Sequence, residues 1–319
     1  MAVDVLADLL DGVRARGALF RQAVMSPPWG LRFAHGAPLT LVTMLRGEAW
    51  IVPAGAGEPV RLRPGDVAVA RGPAPFTVAD DPATRPGYAV TDADYCARAD
   101  GTEAGEEIVR DVRTCAVRDP GAPALLLAGA YESEASGGTS ERLLSALPEL
   151  LVIPDPGALP PLLDLIAAEV TAERPGQRVV LDRYLDVLLV SVLRAWFDGA
   201  GAHAPAWYGA MRDPVAGPAL RLLHADPSHP WTVAGLAAKV GVSRATLARR
   251  FTAQVGEAPM AYLTGWRIAL AADLLRETDV TVASIARRVG YANAFALSVA
   301  FKRLNGSTPS AHRASASRW

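Results

Sequence analysis

Cysteine is almost missing from this chain of 319 residues, which contains only Cys96 and Cys115. Two thiols are too few for a disulfide scaffold or a cysteine-based zinc site. Histidine is also scarce: of five, only His35 falls in the first 200 residues. A histidine-built metal centre cannot be assembled there, and no cofactor is expected. Lysine is limited to Lys239 and Lys302. No apolar run approaches the roughly 20 residues needed to cross a bilayer. The start, MAVDVLADLLDGVRARG, sets Asp4, Asp8 and Asp11 before its first Arg, the reverse of a secretory leader. These absences predict a soluble, cytoplasmic protein with no membrane partner.

Apolar content, by contrast, is ample. Half of the residues are hydrophobic and a fifth are charged, which suits packed cores rather than disorder. At roughly 100–200 residues per domain, two domains are expected. The formal net charge of −1 conceals a split. Residues 228–319 carry twelve basic side chains against four acidic ones (Glu257, Asp273, Glu277, Asp279), a local +8. Residues 1–227 carry 20 basic and 29 acidic side chains, a local −9. The basic third suits a polyanion, because phosphate contact and counterion release need clustered cations.

Residues 20–131 read as β structure. Short apolar runs (LTLVTML 39–45, EAWIV 48–52, PVRLR 59–63, DVAVA 66–70) alternate with turn residues such as Gly47, Pro64-Gly65-Asp66 and Gly72-Pro73. That rhythm predicts a small barrel or sandwich. After Gly137-Gly138 and prolines 154, 156, 160 and 161, two helices are expected, at 162–170 and about 178–197. The second sets Leu181, Leu185, Leu188, Leu189 and Val192 at helical spacing. Its broad apolar face suits either packing on the β structure or a homodimer contact. The Gly, Ala and Pro content near 199–218 marks an interdomain connection. The domains are thus expected at 1–200 and 219–319, with a linker at 201–218.

An internal repeat occupies 231–313. Thr232, Val233, Leu236, Val240 and Gly241 recur 49 residues later as Thr281, Val282, Ile285, Val289 and Gly290. Past the glycine the offset is 50: Leu247, Phe251, Gly256 and Pro259 return as Leu297, Phe301, Gly306 and Pro309. The extra residue falls in the turn, where it is best tolerated. Each unit shows apolar positions at i, i+3, i+4 and i+7. Thr232 and Thr281 can cap the first helices, and Ser243 and Asn293 the second ones. This is a helix–turn–helix written twice, whose second helices would read a DNA major groove. The helix expected between them, 260–278, would hold the two reading helices near one DNA turn apart, roughly 34 Å.

These residues carry a resemblance. The stretches LAAKVGVSRATLARRF, WRIALAADLLRETD and IARRVGYANAFALSVAFKRLNGSTPSAHR closely resemble the DNA-binding domain of the arabinose-operon regulator (AraC/XylS) family. Residues 1–200 resemble the cupin-type sensor half of one branch, and WYGAMRDPVAGPALRLLHADP resembles that branch's approach to the DNA-binding domain. The implied fold is α+β in two domains: an N-terminal cupin-like β-barrel with helices (barrel about 20–131, helices about 160–197), then an all-α double helix–turn–helix domain. The implied function is bacterial transcription regulation, with double-stranded operator DNA as partner. A small-molecule effector of unknown identity and RNA polymerase are further candidate partners.

On the first reading helix Leu247 and Phe251 face inward, leaving Arg244, Ala245, Ala248 and Arg249 opposite. Arg249 is the expected base reader, since its fork can bond guanine O6 and N7 together. Its position matches a base-reading position of the family. Ala245 and Ala248 offer apolar contact, for instance to a thymine methyl. On the second helix Ala294, Phe295 and Ser298 are the base-facing candidates, in place of the polar pair and later Arg common in the family. Ser243, Arg244, Thr246, Arg250, Asn293 and Lys302 are the expected phosphate contacts.

In the first half, Pro64-Gly65-Asp66 followed by Gly72-Pro73 resembles part of a cupin motif, but Pro75 and Phe76 stand where a ligand His would follow. No metal and no catalytic residues are expected. The rival readings are a metal-free cupin-type enzyme fused to the helical module, and a helical scaffold without DNA affinity. The enzyme would need an acid–base constellation, which the spacing of His35, Asp66, Tyr88 and Tyr131 does not suggest. Salt-dependent binding to DNA would separate the scaffold from the regulator. Trp50, Phe76, Tyr88 and Tyr131 form a candidate effector pocket, or plain core. Cys96 and Cys115 are a candidate redox pair, or two small hydrophobes.

Overall fold

The computed structural model describes residues 6, 13–14, 21–55, 57–92, 95–98, 108–111, 114–117, 123–133, 138–154, 159–172, 174–199 and 205–316. The chain divides into two compact units. One comprises Arg14–Ser133 with Leu147–Gly199; the other comprises Met1–Val13, Glu134–Ala146 and Ala200–Trp319.

In chain order the strands begin with β1 (Val13–Arg14), β2 (Arg21–Met25), β3 (Gly30–Phe33), β4 (Leu39–Arg46) and β5 (Ala49–Pro53). They continue with β6 (Val60–Leu62), β7 (Val67–Arg71), β8 (Phe76–Ala79), β9 (Tyr88–Asp92) and β10 (Tyr95–Arg98). Then come β11 (Ile108–Asp111), β12 (Thr114–Val117), β13 (Ala124–Ser133) and β14 (Leu150–Ile153).

They form two sheets, in the orders β11-β12-β2-β13-β4-β7-β14 and β10-β9-β3-β8-β5-β6, with β1 beside β13. The expected closed barrel is thereby corrected to two open sheets sharing one core. Strand alternation supplies that core from both sides. Leu31, Phe33, Ala49, Ile51 and Val78 come from one sheet, and Val42, Met44, Ala68, Leu126 and Ala128 from the other.

The larger sheet buries its outer face as well, for Leu39 to Met44 of β4 are buried without a break. A helix layer explains this. Of the three helices that follow β13, α2 (Pro160–Thr171) and α3 (Gln177–Gly199) belong to this unit, whereas α1 (Thr139–Leu144), which precedes β14, belongs to the other. On α3 Leu181, Leu185, Leu188, Leu189 and Val192 are all buried, as their spacing predicts. The Tyr131 hydroxyl donates to the Leu185 carbonyl at 2.7 Å, fastening β13 to α3. Gly129 is required there, since a Cβ would meet the Leu185 side chain.

The second unit holds α4 (Ala206–Ala210), α5 (Ala216–Ala225), α6 (Val233–Val240), α7 (Arg244–Val255) and α8 (Pro259–Glu277). It ends with α9 (Val282–Arg288), α10 (Ala294–Asn305) and α11 (Pro309–Ala316). The supposed linker 201–218 is largely part of this unit: Ala210, Val215 and Ala216 are buried beside Leu247 and Phe251. Its prolines bound short helices, Pro205 standing at the start of α4, rather than extending a loose connection. Residues 138–144 likewise belong here, although they lie between β13 and β14 in sequence.

Candidate nucleic-acid interface

Each helix–turn–helix is built by local chemistry. The Thr232 hydroxyl accepts from the Gly235 N–H at 3.0 Å and opens α6; Thr281 accepts from Ser284 at 3.2 Å and opens α9. Ser243 accepts from Thr246 at 3.1 Å and Asn293 from Ala296 at 2.9 Å, starting α7 and α10. Each cap satisfies an amide that the helix leaves orphaned, worth about 1 kcal/mol. Gly241 ends α6 at φ 81°, a left-handed turn that side chains resist. Gly290 adopts φ 84° in the second unit, packed where a Cβ would meet Arg267 and the Ser228 carbonyl.

The connecting helix α8 spans about 28 Å at 1.5 Å per residue and joins two small cores. Tyr262 and Leu263 pack with Leu236, Leu247 and Phe251. Ile268, Ala271, Ala272 and Leu275 pack with Ile285, Leu297 and Phe301. The repeat thus becomes two equivalent cores on one rod, with α7 and α10 as corresponding elements.

Arg244, Ala245 and Arg249 are exposed on α7 and Ala248 is half-buried, opposite the buried Leu247 and Phe251. On α10 Phe295 is 78% exposed and Val299 55%, an apolar surface on an otherwise charged unit. Ala294 is half-buried and Lys302 exposed. Four expected contacts carry other duties. Arg250 donates through Nε to Asp213 at 2.9 Å, tying α7 to the turn before α5, so it is a structural cation before it is a phosphate anchor. Burial pushes the Asp213 carboxyl up, but the amides of Ala216 and Val215 and the Arg250 guanidinium outweigh it and hold the pKa low. The Ser298 hydroxyl donates to the Ala294 carbonyl at 2.7 Å, so it turns back on its own helix. The Ser243 and Thr246 hydroxyls lie 2.9 Å apart, engaged with each other.

Sequence reasoning missed three fastenings. Arg267 bonds the carbonyls of Pro227 and His229 at 2.7 and 2.8 Å. Arg313 bonds those of Leu275 and Val280 at 3.1 and 2.6 Å. His224 Nε2 and the Tyr262 hydroxyl, both buried side chains, lie 2.8 Å apart. These bonds join residues 33 to 40 apart and knit the helices together, so no local spacing announces them.

The four aromatic residues proposed for an effector pocket do not converge. Phe76 is in the shared core, stacked on Phe33 with centroids 4.9 Å apart, and Tyr88 packs at its margin. Trp50 alternates with core residues Ala49 and Ile51, and so faces away from them. Tyr131 points to α3, where burial pushes its hydroxyl pKa well up. A cavity beside Phe33, His35, Thr40 and Val90 holds about 10 Å³, room for one water. Within it His35 Nδ1 accepts from the Ala37 amide at 3.0 Å, a turn role. The backbone places Cys96 on β10 of the smaller sheet, opposite Val90, and Cys115 on β12 of the larger, opposite Arg110. The two strands are therefore not ladder neighbours, and the cysteine side chains lie outside the described residues.

Comparison with known proteins accounts for both units. A family model described as Cupin matches residues 4–198, and one described as Helix-turn-helix domain matches residues 236–315. The chain is 35% identical over 317 residues to an AraC-like transcription regulator of Streptomyces lividans, covering 98% of both chains. It is 33% identical over 315 residues to one of Streptomyces antibioticus, again covering 98% of both. The HTH-type transcriptional regulator AlkR of Acinetobacter baylyi is 34% identical over 178 residues, which are 54% of this chain and 58% of that one. With a cupin half followed by two capped helix–turn–helix units, the chain belongs to the AraC-like transcription regulators, which are DNA-binding proteins.

Proposed function

We propose that the protein binds a double-stranded operator through α7 and α10 in successive major grooves and couples this to a small-molecule or redox signal received by its cupin half. The observation that carries the reading is the pair of capped helix–turn–helix units packed on one helix, inside a segment of charge +8. Arg249 is the main base reader, with Ala245 and Ala248 beside it. Ala294 and Phe295, with Ser298 beside them and its hydroxyl bonded back to the Ala294 carbonyl, give α10 a reading face suited to thymine methyls rather than to hydrogen-bonded discrimination. Arg244, Lys302 and the cap residues Ser243 and Asn293 take phosphates, and Thr246 supports Ser243. RNA polymerase is a further candidate partner.

The test is selection of duplexes from a randomised pool by the full chain, followed by affinity against salt. A recurring motif and a steep salt slope are expected; sequence-indifferent binding would count against the reading. Lys302→Ala should weaken binding to all duplexes alike and flatten the salt slope by about one unit. A loss confined to one sequence would assign Lys302 to base reading instead.

Two copies of the chain would double the DNA contacts through effective concentration. Among the described residues, Val180 and Val187 lie seven apart on α3 and are 37% and 51% exposed; Val179 is 58% exposed and Leu165 of α2 53%. This face supports a homodimer. Light scattering of the full chain should give a dimer mass, and Val187→Glu should shift it toward the monomer. A wild-type monomer at tens of micromolar would remove this part of the proposal.

A further inference from the structure

Helix α1 lies against α8, more than a hundred residues away in sequence, and its two ends meet different parts of that rod. At its N-terminus the Thr139 amide donates to Asp273 Oδ2 at 3.0 Å, and Asp273 is itself paired with Arg276. Asp273 and Arg276 are 14% and 8% exposed. Near its C-terminus Arg142 donates to Glu257 at 3.3 Å, and its guanidinium carbon sits 5.1 Å from the centre of the Tyr262 ring. Thr139, Ser140 and Leu143 are buried.

Close approach is written into two glycines. Gly138 has ordinary extended backbone, yet a Cβ there would collide with the Asp273 carboxylate. A Cβ on Gly265 would collide with the Arg142 guanidinium. The two anchor points on α8, at Gly265 and Asp273, are eight residues or about 12 Å apart. They straddle the junction between the two cores: Tyr262 and Leu263 belong to the first, and Ile268 to Leu275 to the second.

We infer that residues 138–144 are a clamp on α8 that fixes the relative placement of the two reading helices, with Arg142 and Gly138 as positioning residues for operator binding. The clamp makes no DNA contact itself. It acts by holding the first and second helix–turn–helix cores in one rigid arrangement, so that both reach their half-sites together. Loss of the clamp removes the benefit of having two linked half-sites while leaving each reading helix intact. The inference rests on the proposal that α7 and α10 both enter the operator.

The experiment uses the full chain, a duplex selected by it from randomised DNA, and the same duplex with the half-site of α10 scrambled. Wild type should bind the intact duplex far more tightly. Arg142→Ala and Gly138→Val should each lose about 5- to 30-fold on the intact duplex and change by less than about twofold on the scrambled one. Equal losses on both duplexes, or no loss on either, would overturn the clamp. If Gly138→Val does not fold, the half-exposed Arg142 still provides the same comparison. Should wild type itself fail to distinguish the two duplexes, the two-helix reading is overturned, and the clamp that rests on it with it.

Discussion

Phe251→Ala should destabilise the DNA-binding unit by about 3–5 kcal/mol, the usual cost of emptying a buried phenylalanine site. Phe251 is fully buried, packed among Leu236, Leu247 and Tyr262, with its ring 5.9 Å from the Tyr262 ring. The core around it is small and built from short helices, so few neighbours can move in to fill the space. Against a typical total of about 5–15 kcal/mol for a domain, such a loss leaves little margin. The measurement is urea unfolding of the full chain alongside operator affinity at the same temperature. A shift below about 1 kcal/mol would mean that α7 is held chiefly by something other than this core. Phe301→Ala should act in the same way on the second core, because Phe301 occupies the equivalent position on α10.

Arg249→Ala is expected to lose about 1–3 kcal/mol of specific binding, roughly 5- to 150-fold, with relaxed preference at one base pair. Arg249 stands exposed on α7, two residues past the buried Leu247 and two before Phe251. Its neighbour Arg250 is held by Asp213, so the two arginines have different duties despite their adjacency. Arg250→Ala should therefore lower unit stability as well as affinity, whereas Arg249→Ala should lower affinity alone. Comparing selected motifs for wild type and Arg249→Ala tests this directly. Unchanged affinity and an unchanged motif would strip Arg249 of its reading role.

The repeat was legible because its signals are local. A cap acts over three residues, a turn glycine over one, and an apolar stripe over two helical turns, and all three stand in the sequence at Thr232, Gly241 and Leu236 and again at Thr281, Gly290 and Ile285. The helical spacing of Leu181 to Val192 was legible for the same reason. What covers that face was not, since spacing shows which side is apolar and not which neighbour it meets. Closure of the β structure was implied by the family resemblance alone: strand rhythm left barrel and sandwich both open, since alternation carries no information on whether the last strand pairs with the first. Tyr131 shows the limit within one strand. It lies on the opposite face of β13 from Leu126 and Ala128, toward α3. The Asp213–Arg250 and Thr139–Asp273 contacts join residues 37 and 134 apart, and no local pattern announces them.

The most direct test of the account is a hydroxyl-radical footprint of the full chain on a duplex selected from randomised DNA. Protection is expected along one face of the duplex at two segments about one helical turn, roughly 34 Å, apart. Base-specific dependence should be stronger in the segment read by α7, where Arg249 lies, than in the segment met by the apolar face of α10. A single protected segment, or protection with no preferred position on the duplex, would contradict recognition by two linked helix–turn–helix units.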